Sequence, residues 1–157
     1  ADDTKIVSAG LDGAVYEWAW TADGPAMDRV GSSDHVLKSS QYETVVCGPK
    51  GKSGTTMLAA GRDGAVRELE GGNVTCEIKT DLGRLTQLVV SKSDRLVLCA
   101  SQAGVIRAFG QPLDAGQGAV DSAAVHSSMV SRLVLAHDEQ FAFSASEDGH
   151  IFMFEML

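Results

Sequence analysis

A ten-residue phrase that occurs four times constrains this chain more than any other feature. It reads Ala9-Gly10-Leu11-Asp12-Gly13-Ala14-Val15-Tyr16-Glu17-Trp18 and returns as Ala60 to Leu69, Ala100 to Phe109 and Ala145 to Phe154. Each copy has a run ending in small residues, a tight turn with Gly, and a second run ending in a large apolar side chain. Asp-Gly between two β-like runs predicts a hairpin, because Gly accepts positive φ and Asp can bond the turn backbone. The turn glycines are Gly13, Gly64, Gly104 and Gly149. They recur about every 40 to 50 residues, and one hairpin phrase per unit at that period marks a β-propeller blade.

The phrase resembles the hairpin between the second and third strands of WD-repeat proteins, in which small residues, Asp-Gly and a strand ending in Trp follow one another. Trp18 keeps the signature Trp, and Leu69, Phe109 and Phe154 stand in its place elsewhere. Asp12, Asp63 and Asp148 keep the turn Asp, while Ala103 replaces it. The resemblance implies an all-β fold of degenerate WD repeats. It also implies a hydrogen-bonded set joining a His before the first strand, a Ser or Thr, the turn Asp and the Trp. His126, Ser144 and Asp148 occupy such positions, with Phe154 for Trp. Phe has no N–H donor, so the set would be shortened. The roles expected of Asp12, Gly13, Trp18, Asp63, Gly64, Gly104, His126, Ser144, Asp148 and Gly149 are structural.

Apolar periodicity is close to two or continuous, with no helical stretch. The units expected are 1–38, 42–79, 85–125 and 130–157, two complete four-stranded blades flanked by two partial ones. In the first, Lys5 to Ser8 and Ala14 to Trp20 form the hairpin. Thr21 to Asp34, rich in Gly, Ser, Asp and Pro, reads as an exposed loop, and His35 to Lys38 as a weak outer strand. In the second, Tyr42 to Cys47 precedes a loop from Gly48 to Gly54, and Val74 to Lys79 is the fourth strand. In the third, the fourth strand is Ala119 to Val125. In the last, strands run from Val130 to Leu135, Phe141 to Ser144 and His150 to Leu157. Runs such as Ile151-Phe152-Met153-Phe154 suit a sheet covered on both faces. An unclosed set would expose edges and apolar faces. The expectation is therefore a piece of a larger propeller, completed by the remainder of its own ring or by a second copy.

With 157 residues, 44% hydrophobic and 22% charged, the chain suits one globular domain. A net charge of −8 disfavours nucleic acid and acidic membrane surfaces as partners. Cys47, Cys76 and Cys99 are an odd count at wide spacing, which predicts buried reduced thiols and a cytoplasmic compartment. No run is long enough to cross a bilayer as an apolar helix.

Motifs that could carry chemistry fare poorly. Gly48-Pro49-Lys50-Gly51-Lys52-Ser53-Gly54 misses the phosphate-loop pattern, because Val46 stands where the first Gly is required. A Ser144-His126-Asp148 triad would need an oxyanion hole and a strained nucleophile turn, neither of which is signalled. His35, His126, His137 and His150 lack metal-site spacing with Cys or carboxylates. Trp18 and Trp20 share one strand face at period two, as core packing requires. No cofactor, metal or catalytic residue is expected. A protein partner would meet loops at a propeller face. The turn residues Arg62, Gln102 and Glu147, near His126, form one such face, and the loops 21–34 and 48–54 the other.

A narrower resemblance follows from the second half. Gly104 to Phe109 with Pro112-Leu113, Val125 to Arg132, Asp138-Glu139-Gln140-Phe141 and Glu147-Asp148-Gly149 resemble the ciliary WD-repeat and coiled-coil proteins. They are most similar to the cilia- and flagella-associated protein fifty-seven family, and Lys38 to Tyr42 and Gly61 to Glu68 fit the same alignment. The resemblance implies the end of that family's second propeller. It further implies a non-enzymatic axonemal scaffold that helps assemble or regulate inner dynein arms, with axonemal or dynein-associated partners. The alternatives are a general WD-repeat adaptor or peptide-binding module, and, third, a propeller enzyme. The enzyme would need polar groups at the channel, whereas Val45-Val46, Leu88-Val89-Val90 and Leu133-Val134-Leu135 are apolar.

Overall fold

A computed structural model describes residues 5–32, 40–50, 55–70 and 73–156. Every regular element among them is a strand. The first sheet holds β1 (Lys5–Ala9), β2 (Val15–Thr21) and β3 (Gly24–Ser32). The second holds β4 (Tyr42–Lys50), β5 (Thr55–Gly61), β6 (Ala65–Glu70) and β7 (Asn73–Lys79). The third holds β8 (Leu85–Val90), β9 (Leu96–Ser101), β10 (Val105–Gly110) and β11 (Asp121–Ala124). The fourth holds β12 (Val130–Leu135), β13 (Phe141–Ser146) and β14 (Ile151–Glu155). Strands in each sheet are antiparallel and follow chain order. The fold is part of a WD-repeat β-propeller.

The four phrases form the same turn. Gly13, Gly64, Gly104 and Gly149 have φ of 79°, 72°, 79° and 83°. Their N–H groups donate to Gly10, Gly61, Ser101 and Ser146 carbonyls at 3.0 to 3.3 Å. Asp12, Asp63 and Asp148 each accept the N–H two residues on, from Ala14, Ala65 and His150. Where Ala103 replaces the Asp, the Ser101 hydroxyl accepts the Val105 N–H at 3.2 Å instead.

Alternation along the strands divides each middle sheet between two cores. On β9, Val97 and Cys99 face the second sheet, while Leu98 and Ala100 face the fourth. On β5, Leu58 and Ala60 pack against the third sheet, while Met57 and Ala59 pack against the first. Because neighbours cover both faces, these strands carry continuous apolar runs, Met57 to Ala60 and Leu96 to Ala100, unlike a sheet with one wet face.

Several expectations are corrected. The segment 21–34 is not one long loop: Thr21 and Gly24 close a hairpin, and β3 runs beside β2. An outermost strand needs no ladder donor on its free side, so Gly24 and Pro25 are tolerated there. The strand expected at His35 to Lys38 lies outside the described residues. β4 continues to Lys50 rather than stopping at Cys47, and β11 is shortened to Asp121–Ala124. β13 extends to Ser146, and β14 occupies Ile151–Glu155 rather than His150 to Leu157. Ile151 and Met153, expected under cover, are 76% and 62% exposed. Among the described residues β14 pairs with β13 alone, and no sheet lies on that face. Not all cysteines are buried: all three are free thiols, but Cys47 is exposed. Cys99 is enclosed, and burial pushes its thiol up to about 12.

Three substitutions test this account. Leu58→Ala should cost about 2–5 kcal/mol in chemical denaturation, since it empties a fully buried site between two sheets. Gly149→Ala should cost about 1–2 kcal/mol, the strain of a left-handed residue with open space around it. Gly104→Ala should cost clearly more, because its methyl group would also collide with the His126 carbonyl oxygen. Equal losses at the two glycines would contradict the packing described.

Candidate interaction face and its polar network

His126 enters the fourth unit from a backbone clamp. The N–H groups of Val125 and His126 both donate to the Gly104 carbonyl, at 3.2 and 3.1 Å. Its ring lies 3.1 Å from Asp148 Oδ2 through Nδ1 and 2.8 Å from Ser144 Oγ through Nε2. A ring carrying its proton on Nδ1 donates to Asp148 and leaves Nε2 to accept from the Ser144 hydroxyl. Phe152 meets the ring edge-on at 4.9 Å between centroids. Asp148 also accepts the N–H groups of Ser127 and His150, both at 3.0 Å. Burial pushes the Asp148 carboxyl up. The N–H groups of His150 and Ser127 and the His126 ring outweigh it and hold the carboxyl well below its ordinary value.

The structure thus brings His126, Ser144 and Asp148 together. They are enclosed rather than open to a substrate: Ser144 is 1% exposed and His126 7%. Phe154, in the place of Trp18, packs into the core between the third and fourth sheets instead. The first unit carries the other half of the set, with Trp18 Nε1 donating to Ser8 Oγ at 2.9 Å. Ser8 precedes its turn glycine by the same interval as Ser144.

The two middle units replace the set with arginine. Arg67, third after Gly64, donates to Glu77 at 2.7 Å and Asp63 at 2.6 Å, with its guanidinium 5.8 Å from the Tyr42 ring centroid. Burial pushes the Tyr42 phenol up, with the Arg67 charge pulling against it. Arg107, third after Gly104, pairs with Asp81 at 2.5 Å. Reading the residues one turn at a time missed Arg67, Glu77, Asp81 and Arg107. The shared offset of the two arginines from the turn glycine was the available signal.

Arg62, Gln102 and Glu147 are exposed and occupy equivalent turn positions in successive sheets. Their N–H groups bond the carbonyls of Gln41, Arg84 and Met129, the residues just before β4, β8 and β12. Those three strands share a bulge at their starts, between Tyr42 and Thr44, Leu85 and Gln87, and Val130 and Arg132. A bulge re-aims the extra residue. Glu43 takes both Arg62 (2.9 Å) and Arg84 (2.8 Å). Thr86 donates to the Val130 carbonyl of the next sheet at 2.7 Å, and Ser131 to the Ala145 carbonyl at 3.1 Å. Burial raises the Glu43 carboxyl, but the two guanidiniums more than offset it and leave it lowered. On the other face, residues 51–54 of the expected loop lie outside the described residues.

The innermost strands enclose a groove of about 460 Å³. Val45-Val46, Leu88 to Val90 and Leu133 to Leu135 line it, with Thr44, Gln87, Lys92, Arg132 and Glu139 as polar members. Among the described residues no group of three or more His, Cys, Asp or Glu could hold a metal ion.

Four antiparallel sheets, each built on an Asp-Gly or equivalent turn with a polar side-chain staple, define the class as a WD-repeat β-propeller. The chain is 32% identical over 155 residues to mouse cilia- and flagella-associated protein 57, covering 99% of this chain and 12% of that relative's length. No protein-family model matches. Among solved structures, Sqt1 of Chaetomium thermophilum aligns with a TM-score of 0.77 at 17% identity, over 97% of this chain and 40% of its own. The computationally designed Ika4 protein aligns at 0.73 and 16% identity, over 100% of this chain and 88% of its own. The larger designed Ika8 aligns at 0.72 and 16%, over 99% and 44%.

The two kinds of staple predict different behaviour. A carboxyl lowered in the folded state stabilises above its unfolded value and loses that contribution as pH falls. Wild-type stability should therefore decline as pH drops below the ordinary Asp value of 3.8. Asp148→Asn should be less stable at neutral pH and should flatten this acid limb, read from urea midpoints between about pH 2.5 and 6. Arg67→Ala should cost about 1–3 kcal/mol at neutral pH, because it leaves the partly buried Asp63 and Glu77 carboxylates without their shared cation.

Proposed function

We propose that the chain is a non-enzymatic protein-interaction unit of the ciliary or flagellar axoneme, one that helps assemble or regulate inner dynein arms. The observation that carries this reading is the 32% identity to a cilia- and flagella-associated protein across 155 residues. The architecture supports the scaffold half of the proposal. Its buried polar groups brace hairpins, and its open surfaces are a mixed-charge face and an apolar flank, both suited to protein contacts. In this reading the four sheets are successive blades at 1–38, 42–79, 85–125 and 130–157, near the end of a propeller. Arg62, Gln102 and Glu147 belong to a partner-binding face, and further propeller sheets or a second copy cover the flank beyond β14. The setting is cytoplasmic, inside the cilium. No helix among the described residues is long and apolar enough to cross a membrane.

The test is to express the tagged chain in a flagellated cell and extract with detergent. The chain should remain with the axoneme, and crosslinking should recover inner-arm dynein subunits. Full release into the detergent-soluble fraction would overturn the axonemal setting. Retention without any dynein subunit would overturn the inner-arm role.

A further inference from the structure

The second and third sheets each hold four strands, and each packs against a described sheet on both sides. Three charged side chains meet over their junction. The Glu43 side chain, at the bulge of β4, is only 14% exposed. Its Oε1 accepts from Arg62 Nε at 2.9 Å, and its two oxygens accept from Arg84 Nε at 2.8 and 2.9 Å. Two guanidiniums thus share one carboxylate and leave a net positive charge on the face of a chain whose total is −8. Arg62 Nη1 also donates to Gln41 Oε1 at 3.3 Å. Arg62 Nη2 and both terminal nitrogens of Arg84 have no hydrogen-bond partner among the described residues. The two arginine side chains are 47% and 34% exposed, so these donors are within a ligand's reach.

The next junction shows that joining two sheets does not need these charges. There Thr86 stands in the place of Glu43, Gln102 in that of Arg62 and Met129 in that of Arg84. Thr86 makes the join with an uncharged bond to the Val130 carbonyl at 2.7 Å. What the Glu43 carboxylate adds is placement: it holds each guanidinium by Nε before any ligand arrives, which lowers the entropy lost on binding. The Nη1–Nη2 edge of Arg84 is left, and such an edge takes a carboxylate through two parallel charge-assisted bonds. The chain beside it is bare. Gly83 has a φ of 64°, and a Cβ added there would meet nothing within 4 Å. Gln102 is exposed, and its N–H bonds the Arg84 carbonyl, which sets its side chain next to the arginine. On the same face the Asp63 and Asp81 carboxylates are tied to Arg67 and Arg107, and the exposed Glu147 lies one turn further on.

We propose that Arg62 and Arg84 form a docking site for an acidic segment of a partner protein. One glutamate or aspartate carboxylate of that segment seats on the Nη1–Nη2 edge of Arg84, and a second meets Arg62 and the Gln102 amide. The proposal rests on the interaction-module reading, because it gives that face the chemistry of its partner, but not on the ciliary setting. A chain that binds the acidic segment yet leaves the axoneme with detergent keeps the site and loses the setting. A chain that stays with the axoneme and ignores the segment does the reverse.

The probe is a fluorescein-labelled Gly-Glu-Glu-Gly-Glu-Glu-Gly peptide, titrated with the intact chain by fluorescence anisotropy at low salt. Saturable binding is expected, and it should weaken as salt rises. The same peptide with Gln for Glu should bind about tenfold more weakly or worse. Arg84→Gln should cost about tenfold in affinity. Arg84→Lys, which keeps a cation for Glu43 but loses the flat two-donor edge, should cost several-fold. Arg95→Gln removes the same charge from the turn between β8 and β9, at the opposite end of the sheet, and should leave binding unchanged. Retained circular dichroism would show that the Arg84 variants fold. No saturable binding, indifference to peptide charge, equal losses in Arg84→Gln and Arg95→Gln, or full affinity in Arg84→Lys would each overturn the proposal.

Discussion

The structure depends on the mutual covering of sheet faces. The middle strands β5 and β9 bury side chains on both sides, so neither sheet has a face to give to water. Burial of apolar surface is the main favourable term in folding, and here it is shared between sheets rather than held within one. Small residues make the approach possible: Ala59, Ala60 and Ala100 are fully buried where sheets meet. Directional bonds then set how neighbours sit. Thr86 reaches the Val130 carbonyl, Thr44 accepts the Leu88 N–H, and the Glu139 carboxylate takes the Lys92 N–H across adjacent turns. A unit lifted from this array would expose a core, not a surface.

Against that shared frame, the polar interior has been rebuilt unit by unit. The fourth unit ties its hairpin to the preceding connection through His126, Ser144 and Asp148. The first keeps a Trp18–Ser8 bond, and the second and third use Arg67 and Arg107 with carboxylates. The chemistry differs but the mechanical task is the same, which is to fix a turn and its neighbouring strand where backbone bonding runs out. An arginine with two carboxylates can do this because each partner compensates a charge that burial alone would penalise. The loss of Trp and His from the motif therefore reports replacement rather than decay.

What could be read from the residues was what local chemistry dictates. Gly13, Gly64, Gly104 and Gly149 need left-handed backbone, and Asp12, Asp63 and Asp148 accept from amides two residues on, so the hairpins were legible. The His126–Ser144–Asp148 cluster was legible only through resemblance, since its members lie up to 22 residues apart. Strand β3 was not, because Gly24 and Pro25 carry turn signals that an outer strand tolerates. The clamp of Glu43 by Arg62 and Arg84 was also hidden. It spans 19 and 41 residues and depends on a bulge that no single-strand pattern announces. Exposure of Cys47, Ile151 and Met153 depends on which sheets lie alongside, and apolarity alone does not reveal that.

Repeat architecture gives each position three siblings, and departures among siblings carry more information than any one residue does. Val15, Val66 and Ile106 are 3%, 0% and 8% exposed, so the 76% exposure of Ile151 at the same position is a property of place and not of residue type. Ala123 opposite Ile106, where Ile78 stands opposite Val66, is the converse, a change of residue that leaves the backbone pairing intact. The first kind of departure marks an apolar face left open among the described residues, where an aliphatic side chain of that size would gain about 1.5–3 kcal/mol on leaving water. The second marks where the ladder stays fixed while the shape beside it changes. Rigid turns with altered packing between them let the surface vary from unit to unit without loosening the fold that presents it.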